Sequence, residues 1–160
     1  MGAVVTEAEA IAWRQAQAAA GHRVVFTNGH FELLHLGHVD YLQKARSLGD
    51  VLVVGVNGDA STRALKGEGR PLVPAAERAA ILAALACVDR VVIFEETTAT
   101  RLVRQLQPDV YVKGGDWGEN RIPPEVAAVE AYGGEVIYVP YLTGYSTSDL
   151  IARIVECFGR

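Results

Sequence analysis

Short apolar runs alternate along the chain with longer stretches in which apolar residues recur at helical spacing. Arg23-Val24-Val25-Phe26, Val51 to Val56, Arg90 to Phe94, Asp109 to Lys113 and Glu135 to Val139 read as five strands, the first spanning about His22 to Thr27. Their near-continuous Val/Ile/Leu content is that of strands covered on both faces. Between them lie predicted helices. Thr6-Glu7-Ala8-Glu9 has capping-box spacing and opens an Ala-rich run that Gly21 can close in the left-handed conformation. Helices follow over Val39–Leu48 and from Pro74 to Ala86, and over Thr97–Leu106, where Pro108 stops the run. A short one after Pro123-Pro124 ends at Gly133-Gly134, and Ser146-Thr147-Ser148-Asp149 caps the last. The stretch from Ala60 to Val73 reads as irregular.

Strands alternating with helices predict parallel βαβ units in an α/β sheet with helices on both faces. With no linker, repeat or low-complexity tract, residues 1–160 read as one domain: an N-terminal helix over about 6–20 and a core over about 22–158. In such sheets ligands bind beyond the carboxyl ends of the strands. The glycine-rich and polar segments 28–38, 57–70, 113–117 and 140–147 all fall at those ends.

Composition narrows the partners. The chain is 50% hydrophobic and 21% charged, with 15 Lys+Arg against 19 Asp+Glu and a formal charge of −4. No basic stripe suits a nucleic-acid polymer, so anion binding falls to a few placed cations. No apolar run reaches the roughly 18 residues of a membrane span, and the N-terminus lacks signal-peptide layout, which predicts a cytoplasmic protein. Cys87, read as mid-helix, and Cys157 are expected to be two buried thiols in a reducing compartment.

The stretch Thr27-Asn28-Gly29-His30-Phe31-Glu32-Leu33-Leu34-His35-Leu36-Gly37-His38 joins the first strand to a helix. A helix N-terminus offers unpaired N–H groups and a favourable dipole to an anion. Gly29 and Gly37 permit close approach of a ligand to the main chain. Beside such a helix end, His35 and His38 point to chemistry on a phosphoryl group, stabilising charge on five-coordinate phosphorus. The plainer reading is a capping turn with incidental histidines, and a zinc pair is a third, with no Cys, His or acid nearby to complete it. Lys66, Arg70 and Arg78 offer cations for a triphosphate or phosphorylated substrate, or are solvated charges. Asp59 reads as a cap or turn residue. Lys113-Gly114-Gly115-Asp116-Trp117 allows ligand approach after a strand, or is a tight turn. Gly144-Tyr145-Ser146-Thr147 makes a second helix-end anion site on the same rim. Walker and nucleophile-elbow elements do not occur.

Taken together, His35-Leu36-Gly37-His38 after a strand and Gly144-Tyr145-Ser146-Thr147-Ser148 near the C-terminus resemble the HxGH and GxSTT signatures of the nucleotidyltransferase superfamily. Tyr41 to Ala45 with Leu48-Gly49-Asp50, Lys66-Gly67-Glu68 with Arg70-Pro71, and Val112 to Trp117 extend the resemblance over Val24 to Ile154. It is strongest to the adenylyltransferase domains of ADP-heptose synthases and next to glycerol-3-phosphate cytidylyltransferases. It implies a Rossmann-like five-stranded parallel sheet of order 3-2-1-4-5, an Mg²⁺-dependent reaction and a homodimer. An AMP group would pass from ATP to a sugar 1-phosphate, such as a heptose 1-phosphate of lipopolysaccharide synthesis, with release of pyrophosphate. The alternative is a cytidylyltransferase using CTP and a polyol phosphate, alcohol phosphate or phosphonate; a silent binding module on the same fold is the third. In family terms His35, His38 and Lys66 are catalytic. Asn28, Gly29, His30, Phe31, Gly37, Arg78, Lys113, Gly115, Asp116, Gly144, Tyr145, Ser146 and Thr147 bind nucleotide and phosphates. No metal-ligating side chain is implied. His30 stands in place of the usual Cys or Thr, Glu32 in place of Asp, and Tyr141 where cytidylyltransferases carry an arginine. The kinase domain often fused to such enzymes is not among these residues, so another enzyme is expected to supply the sugar phosphate.

Overall fold

A computed structural model describes residues 2–115, 117 and 121–159. Its six strands are β1 (Ala3–Val5), β2 (Val24–Gly29), β3 (Val51–Asn57), β4 (Arg90–Phe94), β5 (Val110–Gly114) and β6 (Glu135–Val139). They form one parallel sheet in the order β1-β4-β3-β2-β5-β6. The five expected strands keep their expected order, and the expectation of five is corrected by β1 on the outer edge of β4. Three residues are too few to show a period, so β1 left no hydrophobic pattern in the sequence.

Among the described residues six helices connect the strands, α1 (Glu7–Ala19), α2 (Leu36–Arg46), α3 (Asp59–Lys66), α4 (Ala75–Ala83), α5 (Thr100–Leu106) and α6 (Val126–Ala131), and α7 (Thr147–Phe158) follows the last strand. Thr6 caps α1 in a complete capping box with Glu9. The stretch expected to be irregular contains α3. Its buried residues are Ser61 and Thr62, hydrogen-bonded to Gly58 O and Asn57 O, so polar side chains fill positions where a helix usually shows apolar ones. Cys87 sits in the turn after α4 rather than mid-helix, and Cys157 is exposed rather than buried.

Because strand side chains alternate between faces, each strand feeds two cores. Val25, Leu52, Val54, Val56, Val91, Val110 and Val112 pack with Tyr41, Leu42 and Ala45 of α2 and Ala79 and Leu82 of α4. Val24, Phe26, Val53, Val92, Phe94 and Tyr111 pack with Ala10 of α1, Leu102 and Val103 of α5, and Ala128 and Val129 of α6. Burying about a dozen such side chains on each face, at ~1.5–3 kcal/mol apiece, fixes the sheet and leaves the loops at its carboxyl ends to carry polar groups. α7 buries no residue, and Ile154, Val155 and Phe158 are exposed along it. No described helix is long and apolar enough to cross a membrane.

Candidate active site

Strand β2 runs in the middle of the sheet, and the chain leaving it builds the centre of the rim. Phe31 follows at φ 47°, a conformation that costs a non-glycine residue on the order of 1–3 kcal/mol. Packing holds it there: the ring lies over Gly29, where a Cβ would sit 3.1 Å from it, and 5.5 Å from the His38 ring. His35 is the N-cap residue of α2, and the His38 N–H turns back to His35 O at 3.0 Å, leaving Leu36 and Gly37 N–H groups without intrahelical acceptors.

This places the two imidazoles face to face, 3.9 Å between centroids and 27° between planes. Nδ1 of each is buried with no hydrogen-bond partner among the described residues. An unsatisfied buried nitrogen costs roughly 1–3 kcal/mol, and a native structure keeps such groups chiefly where a ligand or function uses the site. Burial, then the neighbouring His35, push His38 down to about 4; burial also lowers His35. The pair is therefore neutral at pH 7, two N–H donors in a desolvated place. A Cβ at Gly37 would stand 3.0 Å from both His35 Nδ1 and Tyr145 Cβ, so glycine there lets the Gly144–Thr147 loop close on the histidines. Gly144 turns that loop at φ 85°, and Ser146 Oγ accepts the Asp149 N–H at 3.0 Å as the α7 cap.

The neighbouring side chains divide by role. Asn28 Oδ1 accepts from the Tyr111 hydroxyl at 2.9 Å and Lys113 Nζ at 3.1 Å, and Lys113 also reaches Asn28 O at 3.2 Å. Lys113 Nζ lies 5.6 Å from the Trp117 ring centre. Gly115 packs its Cα on Pro140, where a Cβ would come within 2.8 Å. Asp116 lies outside the described residues. On the β3 side, His30 Nδ1 meets Thr62 Oγ1 at 3.0 Å. Burial, then the Lys66 and Arg78 charges, lower His30 to about 4. Lys66 is exposed at the end of α3, close enough to bias His30, with no hydrogen bond or ion pair to described residues.

Arg78, expected at a phosphate, is 1% exposed. Its guanidinium donates to Val73 O at 2.8 Å, His30 O at 2.6 Å and Asp59 Oδ1 at 2.9 Å. The side chain thus fastens α3, α4 and the His30 backbone to one another. Asp59 also accepts the Ala75 N–H at 2.8 Å, the capping role expected of it. Tyr41, named only within a motif of the resemblance, pairs its hydroxyl with Thr27 Oγ1 at 2.7 Å and Val112 O at 3.1 Å. The residues that sequence reasoning passed over are Thr62 and Tyr111. A tyrosine inside an apolar strand was the available signal, since its hydroxyl needs a partner when buried.

The rim therefore carries His30, His35, His38, Lys66, Lys113 and the Tyr145 loop at or beyond the carboxyl ends of the strands. The cytidylyltransferase-like family matches residues 26–153. The bifunctional protein HldE of Geobacter metallireducens is 56% identical over 146 residues, covering 91% of this chain and 29% of that protein. HldE of Geotalea uraniireducens is 57% identical over 140 residues, covering 88% and 28%. The chain thus spans less than a third of the relatives it matches. The crystal structure of the lipopolysaccharide core biosynthesis protein from Thermoplasma volcanium superposes with a TM-score of 0.64 at 30% identity, over 79% of this chain and 100% of that one.

Proposed function

Since the chain belongs to the cytidylyltransferase-like family of nucleotidyltransferases, we propose that it transfers AMP from ATP to a heptose 1-phosphate, as a single catalytic domain. A phosphate oxygen of the sugar attacks the α-phosphorus, the bond to pyrophosphate breaks, and an ADP-sugar and pyrophosphate leave. The observation that carries the reading is the stacked His35–His38 pair between two helix ends, neutral at pH 7, with the Nδ1 of each buried and unbonded among the described residues. A phosphate nucleophile is already ionised, so the site needs no strong base. It needs fixed donors for the charge that builds on the α-phosphoryl oxygens, and Lys66 and Lys113 to hold the remaining phosphates. The choice of acceptor is supported by 49–57% identity to HldE proteins and by the likeness to a lipopolysaccharide core biosynthesis protein.

Mg²⁺ fits as a companion of the triphosphate. Three His, Cys, Asp or Glu side chains do not converge as a cage among the described residues. The ion needs none when phosphate oxygens and water supply most of its octahedron. Bound there, it neutralises phosphate charge. We place the enzyme in the cytoplasm and expect a homodimer, which sedimentation at micromolar protein checks directly.

Pyrophosphate release with Mg²⁺, comparing ATP and CTP against heptose 1-phosphate and glycerol 3-phosphate, tests the reading. Turnover is expected with ATP and the heptose phosphate; turnover only with CTP replaces it by a cytidylyltransferase. Each histidine donor is worth roughly 3–4 kcal/mol to the transition state, so His35→Ala or His38→Ala lowers kcat about a hundredfold or more. A loss confined to KM counts against the role.

A further inference from the structure

Glu32 lies three residues before His35 and is 4% exposed, yet it carries a carboxylate. Both oxygens are occupied. Oε1 accepts from Arg70 Nε at 2.5 Å and from the Leu72 N–H at 2.9 Å, and Oε2 accepts from Arg70 Nη2. The pair joins positions 38 residues apart. Burial works against the Glu32 charge, but the Arg70 and Leu72 bonds outweigh it and keep the carboxyl below its usual range. A bidentate fork of this kind fixes the guanidinium plane as well as its place.

The fork uses only one edge of Arg70. Nη1 bonds to no described residue, and the side chain is 26% exposed. A structural strut such as Arg78 is sealed off; Arg70 is fixed by its fork and left partly exposed. Its loop follows α3, on the same side of the histidine pair as His30 and Lys66 and opposite the Gly144–Thr147 loop across the sheet order. Transfer between two phosphorylated molecules requires an anion site on each side of the reacting phosphorus. The Tyr145 side has the open end of α7 and Lys113, whereas the β3 side has exposed Lys66 and the free edge of Arg70.

We propose that Arg70 is a phosphate-binding residue of the acceptor subsite and that Glu32 is the positioning residue that orients it. The proposal rests on the nucleotidyltransferase reading and not on the identity of the sugar. The test is binding of inorganic phosphate, by titration calorimetry, to the whole protein saturated with the non-transferable ATP analogue α,β-methylene-ATP. Steady-state kinetics with ATP and heptose 1-phosphate run in parallel. Arg70→Met is expected to weaken phosphate at least tenfold and raise KM for the sugar phosphate similarly, with affinity for the analogue and KM for ATP unchanged. Arg70→Lys keeps the charge without the fork and falls between. Glu32→Gln keeps the shape and weakens phosphate several-fold, and Glu32→Asp recovers part of the loss.

A wild-type protein that binds no phosphate, or an Arg70→Lys protein with wild-type melting temperature and undiminished phosphate affinity, overturns the proposal. So does an equal loss for phosphate and analogue, the mark of a pair that merely pins the loop. Phosphate binding that depends on Arg70 without turnover of heptose 1-phosphate upholds the proposal and removes only the choice of sugar.

Discussion

At the scale of the residue, two arginines that look alike in sequence have opposite fates. Arg70 keeps an open edge, whereas Arg78 is buried with acceptors from three segments. Removing the Arg78 guanidinium leaves His30 O and Val73 O without their donor and Asp59 without its partner. Asp59 is 43% exposed, so water relieves part of that loss. Two orphaned carbonyls at roughly 1–3 kcal/mol each remain. Arg78→Met is therefore expected to destabilise the fold by about 3 kcal/mol, or roughly 6–12 °C in melting temperature. A thermal melt checks it. A variant that melts like wild type and loses only phosphate affinity returns Arg78 to the ligand.

At the scale of the element, the site depends on how closely two helix ends approach. Gly37→Ala adds a methyl group 3.0 Å from His35 Nδ1 and from Tyr145 Cβ, so one of the two loops must yield. Alanine favours the helix itself by about 1 kcal/mol over glycine. The expected result is a protein no less stable than wild type whose kcat falls at least tenfold, read from a melt and pyrophosphate release together. Unchanged kcat would mean that the contact does not set the geometry of the histidines.

These elements differ in how far the sequence displays them. Strands such as Val51–Val56 are legible because apolar runs have few other uses, and His35-Leu36-Gly37-His38 because it sits between a strand and a helix. β1 is too short to read, and α3 hides behind polar residues that satisfy each other. The Glu32–Arg70 pair joins two loops with no period between them, and a charged residue in a loop gives no sign of whether it will be sealed or open. Local pattern reports which elements form; long-range polar contacts are settled only when the chain closes.

At the scale of the whole molecule, the active site sets a pH limit on stability. In a chain of net charge −4, burial first, and then the Lys66, Arg78 and Lys113 charges against the opposing Glu32 carboxylate, disfavour the protonated form of His30. His30 and His38 each fall from about 6.5 to about 4. The folded protein thus resists protons that the unfolded chain accepts, and stability rises with pH wherever the unfolded state binds more. The contribution of the two histidines is complete above about pH 6.5 and drains away as pH falls towards 4. Glu32 and Glu96, held below the usual carboxylate range by their arginine partners despite burial, add a second loss below about 4.5. Melting temperature should therefore be level from pH 8 to 7 and fall steadily between 6.5 and 4.5. Replacing His30 and His38 by Gln together should flatten that fall while abolishing turnover, because Gln has nothing to protonate. A wild-type melting temperature that stays level from pH 7 to 5 would show that the His30 and His38 imidazoles are hydrated in solution, and the desolvation argued for His38 would lose its physical basis. A fall that the double variant removes would tie the acid sensitivity of the fold to the burial of His30 and His38.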